Sequence, residues 1–206
     1  MKQKTFHLSV IFGAVVLGFL GVQNALACGV ERWNIKVAQD QHVKYFFQRN
    51  DILTGKLQPV QRTTIEDLHN QPYPFASLRG FPPKWSYDLR AGQAEFRIWQ
   101  ITAVLTKKKN EDDEDYHLVI KDGDRFLVAE IPSVACVEST IEPLKSMILK
   151  ARSDFDEWFA GQTRRTFNQK VRLTGLGFFD RVHGAEGASP NGIELHPVIK
   201  IEFLKR

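Results

Sequence analysis

A single change of hydrophobic period constrains this chain most. Ile141, Leu144, Ile148, Ala151, Phe155 and Phe159 follow a 3-4-3-4-4 spacing, one apolar stripe of an amphipathic helix. Ser139 or Thr140 suits its cap, Pro143 its first turn and Gly161 its end. Both flanks read as strand. Glu95 to Thr106 is rich in β-formers (Phe96, Ile98, Trp99, Ile101, Thr102, Val104) and long enough to curve. After a charged loop from Lys107 to Asp113, Asp115 to Ile120 alternates, with Tyr116, Leu118 and Ile120 on one face and Asp115, His117 and Val119 on the other. Asp122-Gly123 signals a tight turn into Arg125–Ile131, which Pro132 stops. Beyond the helix come Lys170–Phe179, where Gly175 and Gly177 mark bends or close approach, a long loop Asp180–Gly192, and Ile193–Leu204.

Strand, strand, strand, helix, strand, strand is the order of an OB-fold, a five-stranded Greek-key barrel with its helix between strands 3 and 4. A mainly β domain over residues 93–206 is therefore expected. Such barrels take ligands on strands 2 and 3, between the 1–2 and 4–5 loops, here Lys107–Glu114 and Asp180–Gly192. The rival is a sheet with a helix packed on one face. Residues 28–92 read as an irregular N-terminal extension. Trp33, Ile35 and Val37 alternate as one short strand, Thr63 to Leu68 suits a Thr-capped helical turn, and five of the nine prolines lie between Pro59 and Pro83. Trp33, Phe46, Phe47, Phe81 and Trp85 are its expected packing residues.

Residues 1–27 read as an address. Met1 to His7 carries two lysines and no acid, Leu8 to Leu20 is an apolar run of 13 residues, and Ala25-Leu26-Ala27 supplies small residues for cleavage. The run is shorter than the roughly 20 residues of a membrane span, so an uncleaved anchor ranks below a signal peptide. The mature chain is expected in the periplasm or outside the cell, without a transmembrane segment. Its only cysteines, Cys28 and Cys136, then read as one disulfide closing a loop of about 109 residues, worth on the order of 4–5 kcal/mol. A lipid anchor at Cys28 ranks second, because Ala25 stands where lipoprotein signals favour Leu. Loss of Lys2 and Lys4 leaves 26 basic against 24 acidic side chains, a weak case for nucleic acid held by phosphate neutralisation. No Gly-rich phosphate loop, paired CxxC, Gly-x-Ser-x-Gly or His-Glu-x-x-His occurs.

The candidate site residues are Asp115, His117, His183, Asn191, Glu194 and His196. Asp115 and His117 share one strand face, Glu194 and His196 another, and His183 and Asn191 lie in the loop between the last two strands. Asp, Glu and His bind divalent metals and move protons, so a divalent metal is the cofactor such a set suggests. One weakness is specific: strand 3 separates strands 2 and 5, so the two pairs need not meet. The plainer reading is two polar strand faces, each with a His bonded to a nearby carboxylate. The run Lys107-Lys108-Lys109 with Glu111 to Asp115 reads as a solvated hairpin tip. Phe178 is the candidate for stacking a nucleic-acid base, against core packing, since Val171, Leu173 and Phe179 look like the inward set.

Asp115-Tyr116-His117-Leu118-Val119-Ile120, Gly175-Leu176-Gly177-Phe178-Phe179-Asp180 and Pro190-Asn191-Gly192-Ile193-Glu194-Leu195-His196-Pro197-Val198 resemble segments of a family of exported bacterial proteins whose mature chains begin like Cys28 to Trp33. The resemblance covers the mature start and residues 94–204. It implies export and a small β-barrel, recurring polar positions at Asp115, His117, His183, Asn191, Glu194 and His196, and no reaction. Secreted thermonucleases also use an OB-like barrel, but their Arg/Asp/Glu pattern is not found here. Two functions follow as expectations. The first is a non-catalytic OB-type binding module for an oligonucleotide, an oligosaccharide or a protein. The alternative is a metal-dependent hydrolase, a phosphodiesterase or nuclease, using the His/carboxylate cluster.

Overall fold

Asp122 pairs with Arg125 across residues 123–124, so the Asp-Gly signal becomes a two-residue hairpin turn. The computed structural model describes residue 28 and residues 32–44, 60–76, 83 and 89–205. In chain order they hold α1 (Trp33–Lys36), β1 (Val60–Arg62), α2 (Ile65–His69), β2 (Ile98–Asn110), β3 (Tyr116–Asp122), β4 (Arg125–Ile131), α3 (Leu144–Phe159), β5 (Thr166–Phe179) and β6 (Ile193–Phe203). The expected address at 1–27 lies outside them, as do Phe46, Phe47, Phe81 and Trp85.

The protein is mainly β. Among the described residues six strands form one mixed sheet in the order β1-β2-β3-β4-β6-β5, and β5 also pairs with β2, so hydrogen bonding runs round a ring. Within the ring, β4 meets β6 in parallel, with Ala129 opposite Leu195, and the other pairs are antiparallel. β1 runs parallel to β2 on the edge that β3 leaves free at Ile98–Gln100. A register shift between Leu105 and Lys107 lets β2 serve β3 and β5 at once.

Alternation then sorts the side chains. Leu105, Leu118, Ile120, Leu127, Ala129, Ile131, Val171, Leu173 and Leu195 are buried in the core, where Ala151 and Phe155 of α3 join them. The first half of α3, through Leu144 and Ile148, packs with Cys28, Val37, Val43 and Cys136 in a second cluster. Pro143 stands at the N-cap of α3 and Gly161 follows its end at φ +75°. The expected cap residue does other work: Thr140 Oγ1 donates to the Val37 carbonyl at 2.9 Å, while Glu142 accepts from Ser146 N. Thr64 does cap α2, accepting from Asp67 N at 3.0 Å in a reciprocal capping box.

Three expectations are corrected. Trp33 to Val37 is not a strand: Arg32 and Ala38, at φ +53° and +55°, bracket a single helical turn closed by its own backbone bonds. β2 neither begins at Glu95 nor ends at Thr106. Gln93–Phe96 is a 3₁₀ turn, and Lys107–Asn110 stays in the strand because β3 pairs with it there. A lipid at Cys28 is ruled out by the Cys28–Cys136 disulfide, which leaves no thiol to carry it. Among the described residues no helix is long and apolar enough to cross a membrane.

Two buried ion pairs hold the extension. Arg32 forks onto Glu95, and its Nη1 donates to the Phe179 carbonyl at 2.8 Å. Arg90 meets Asp40 at 2.9 Å and donates to the Glu95 carbonyl at 2.8 Å. Close approach also explains Gly177. A Cβ there would stand 2.2 Å from the Ala94 carbonyl oxygen and 2.9 Å from Trp99 Nε1. Gly177→Ala is expected to lower unfolding free energy by about 1–3 kcal/mol. Gly184→Ala, with open space around its Cβ, should stay within about 0.5 kcal/mol. Urea midpoints measure both, and equal values would refute the close contact.

Candidate functional site

Three neighbouring strands each present one ionisable side chain at the same level. His117 of β3 is the cross-strand partner of Glu130 on β4. Ala129 opposite Leu195 in a parallel pair brings Glu130 beside His196 of β6. Leu118, Ala129 and Leu195 go to the core, so the residue after or before each turns outward. The result is a row, His117–Glu130–His196. Glu130 Oε1 lies 2.7 Å from His117 Nδ1, and Oε2 lies 3.0 Å from His196 Nδ1. The separation of β3 from β6 by β4, which made convergence of the two pairs doubtful, is spanned by a carboxylate on the intervening strand.

Asp115 joins from the turn before β3. Its Oδ1 accepts from Ser133 N at 2.7 Å, and its Oδ2 stands 3.4 Å from His196 Nε2. That second approach is an ionic contact without hydrogen-bond geometry, so His196 Nε2, in a fully buried ring, has no hydrogen-bond partner. Glu194 Oε1 lies 3.2 Å from His196 Nδ1, and Glu111 Oε1 lies 3.2 Å from His117 Nδ1. The edge of the His196 ring meets Phe178.

The charges are strongly coupled. Burial disfavours a charged His196, but the carboxylates of Asp115, Glu130 and Glu194 outweigh it and hold the ring well above the usual imidazole range. Burial likewise opposes ionised Glu130, and the two histidines hold it well below the usual carboxylate range. Glu194, desolvated and close to Glu130, is pushed up to about 7. Half-buried Lys36 of α1 faces Glu130, Glu194, Asp180 and Asp113, whose fields overcome its desolvation and raise it.

Above this network lies a cleft of about 630 Å³ between the 111–115 turn and the 180–192 loop. Lys107 pairs with Glu186 across it, and Lys109 with Glu111 along one wall. The long loop is seated tightly: at Gly187, φ +86°, a Cβ would meet Val119 Cγ1 at 2.7 Å.

Of the six expected residues, Asp115, His117, Glu194 and His196 converge. His183 sits on the exposed rim, 2.9 Å from Asp180. Asn191 is not part of the site: its amide donates to the carbonyls of Leu68 and Gln71 and ties the loop to α2. The tip between β2 and β3 is solvent-exposed at Lys109, Asn110, Asp112 and Glu114, as expected, but its lysines also have partners. Two of its lysines are ion-paired at the cleft, and Lys108 lies over the Tyr116 ring. Phe178, the stacking candidate, is fully buried under Arg32 and Lys36, whereas Val171, Leu173 and Phe179 do face the core. Sequence reasoning missed Glu130, Glu111 and Lys36. Glu130 had a signal, as the lone carboxylate inside the apolar run Phe126–Ile131.

No protein-family model matches the sequence, and no curated protein matches it. Among solved structures the chain is similar to a "putative aspartyl-tRNA synthetase" from Leishmania major Friedlin, at 15% identity and TM-score 0.41, over 74% of this chain and 22% of that one. It is also similar to asparaginyl-tRNA synthetase from Entamoeba histolytica, at 11% identity and TM-score 0.33, over 53% of this chain and 21% of the other. The chain thus spans about a fifth of the length of these proteins, and likeness at this level carries neither a fold nor a function.

Proposed function

We propose that the chain is an exported binding module on an OB-type barrel, and that its cleft takes a positively charged segment of another protein. The ring order β2-β3-β4-β6-β5-β2, with α3 between β4 and β5, supports the barrel. The pattern of residues 1–27 and a disulfide suited to an oxidising compartment support export. One observation carries the ligand class. Among the described residues the cleft is lined by seven carboxylates against four Lys or Arg side chains and two histidines, and by no Phe, Tyr or Trp. A polyanion is repelled there, and neither bases nor sugar rings find an aromatic platform. Of oligonucleotide, oligosaccharide and protein, a Lys- or Arg-bearing protein segment fits best.

Calorimetric titration tests this with an oligo-lysine peptide and a single-stranded oligonucleotide. The peptide is expected to bind, more weakly as salt rises, and Glu186→Lys with Asp112→Lys should weaken it further. Oligonucleotide binding with no peptide binding would overturn the reading. The hydrolase alternative keeps one observation in its favour, two His/carboxylate triads that share Glu130. Phosphodiesterase activity that requires added divalent metal, lost in His117→Ala and His196→Ala while both stay folded, would establish it instead.

A further inference from the structure

We propose that the basic segment received by the cleft belongs to a second copy of this chain, and is the exposed loop between α3 and β5 that carries Arg164 and Arg165. The inference rests on the cleft reading above and names its partner. Residues 160–165 join Phe159 to Thr166, and all but Gln162 are exposed. Among the described residues, Arg164 and Arg165 are the one pair of sequence neighbours in which both side chains are Lys or Arg and neither makes an ion pair. Other exposed cations of the barrel are matched: Arg125 with Glu66, Lys150 with Asp154 and Lys200 with Glu202. The cleft shows the counterpart. Of its seven carboxylates, Glu111, Glu130, Asp180, Glu186 and Glu194 each have a Lys or His within ion-pair distance. Asp112 and Asp113, adjacent on the wall made by the 111–115 turn, have none among the described residues.

Two neighbouring guanidiniums without acids and two neighbouring carboxylates without cations match in number and in sign, and Arg–carboxylate pairing is the strong form of such a contact. Another acidic protein would satisfy the two arginines but not the two aspartates, whereas one contact between copies satisfies both. Shape and order agree. The cleft, of about 630 Å³, lies between two segments and accepts a narrow convex insert such as this loop. The loop is held at both ends: Gln162 N donates to the Phe159 carbonyl at 2.9 Å, and Lys108 N to the Arg165 carbonyl at 2.9 Å. Arg164 Nε donates to Gln162 Oε1 at 3.0 Å, and its guanidinium stands 5.5 Å from the centre of the Phe167 ring. A loop already ordered loses little freedom on docking. A reciprocal arrangement closes at two copies and a one-way arrangement grows, and both use the same two surfaces.

Analytical ultracentrifugation of the oxidised protein over a range of concentrations tests this. The natural chain is expected to self-associate, less so as salt rises. Arg164→Glu with Arg165→Glu, and separately Glu186→Lys with Asp112→Lys, should each weaken association by at least about tenfold. Mixed together, the two variants should associate with each other, because one keeps the cleft and the other keeps the loop. If the double loop variant does not fold, Arg165→Glu alone replaces it, since that side chain makes no hydrogen bond or ion pair among the described residues. A natural chain that stays monomeric, variants that associate as it does, or a mixture that does not associate overturns the proposal. Oligo-lysine titration of the loop variant, whose cleft no second copy fills, separates the two readings. Binding there beside a monomeric natural chain keeps the cleft reading and removes this inference, and no binding beside no association removes both.

Discussion

Glu95→Ala is expected to cost about 3–5 kcal/mol of unfolding free energy, because it strands a fully buried guanidinium. Glu95 receives both arms of Arg32 and also accepts from the backbone N–H groups of Ala91, at 2.5 Å, and Phe179, at 2.8 Å. Alanine removes all four acceptor contacts at once, and no water reaches the site to replace them, since both side chains of the pair are fully buried. The pair itself need not be stabilising relative to an apolar replacement. Desolvation of two charges offsets most of their attraction, so the double variant Arg32→Met with Glu95→Leu should recover part of the loss. Urea denaturation of both variants gives the comparison. A loss below about 1 kcal/mol in Glu95→Ala would mean that the pair is solvated and that Arg32 does not anchor the extension.

This anchor bears on the cleft through chain connectivity. Arg32 immediately precedes α1, and α1 carries Lys36 to the acidic floor. Arg32 and Lys36 both lie over Phe178, whose ring also meets His196. Loosening the Arg32 end therefore withdraws the cation that faces Glu130 and Glu194 and exposes one side of the His196 ring. Stability of the extension and composition of the site are one property here.

The parts of this arrangement that were legible in the sequence share a cause. α3, the hairpin at Asp122-Gly123, the direction of Leu118 against His117, and the inward set on β5 all follow from local period and turn chemistry, which act over a few residues. What was not legible depended on neighbours far away in sequence. Lys107–Asn110 has the composition of a loop and becomes strand because Tyr116–Val119 pairs with it. Trp33, Ile35 and Val37 alternate like a strand, but no sheet edge pairs with them and they close a helical turn. The site divides the same way. Asp115 with His117, and Glu194 with His196, were visible as pairs two apart on a strand. Their meeting depended on the parallel register of Ala129 with Leu195, which fixes Glu130 between them and which no local signal encodes. Asn191 stood out for its place beside Gly192, yet its amide serves the carbonyls at the end of α2.

The disulfide is expected to have the largest single effect on stability. Cys28 and Cys136 are 108 residues apart, and closing so long a loop restricts the unfolded chain by on the order of 4–5 kcal/mol. For a chain of this size that corresponds to a fall of roughly 10–20 °C in melting temperature when both cysteines become serine. The bridge lies in the apolar cluster with Val37, Val43, Leu144 and Ile148, and Gln39 Nε2 donates to the Cys136 carbonyl beside it at 3.1 Å. Two fates of the doubly substituted protein can then be separated. If the hydrogen bonds and ion pairs of residues 32–44 keep α1 docked, the melting temperature falls but peptide affinity at low temperature is unchanged. If docking depends on the bridge, Lys36 leaves the floor, the cleft becomes more acidic, and affinity for oligo-lysine rises as stability falls. The second outcome is expected, because the bridge packs with Val37 and Val43 just after α1 and its loss removes the covalent link that works together with the Arg32–Glu95 and Arg90–Asp40 pairs to hold residues 32–44. Thermal unfolding and peptide titration of Cys28→Ser with Cys136→Ser, beside the natural chain under oxidising conditions, measure both quantities, and unchanged stability would show that the bridge closes a loop the unfolded chain already keeps compact.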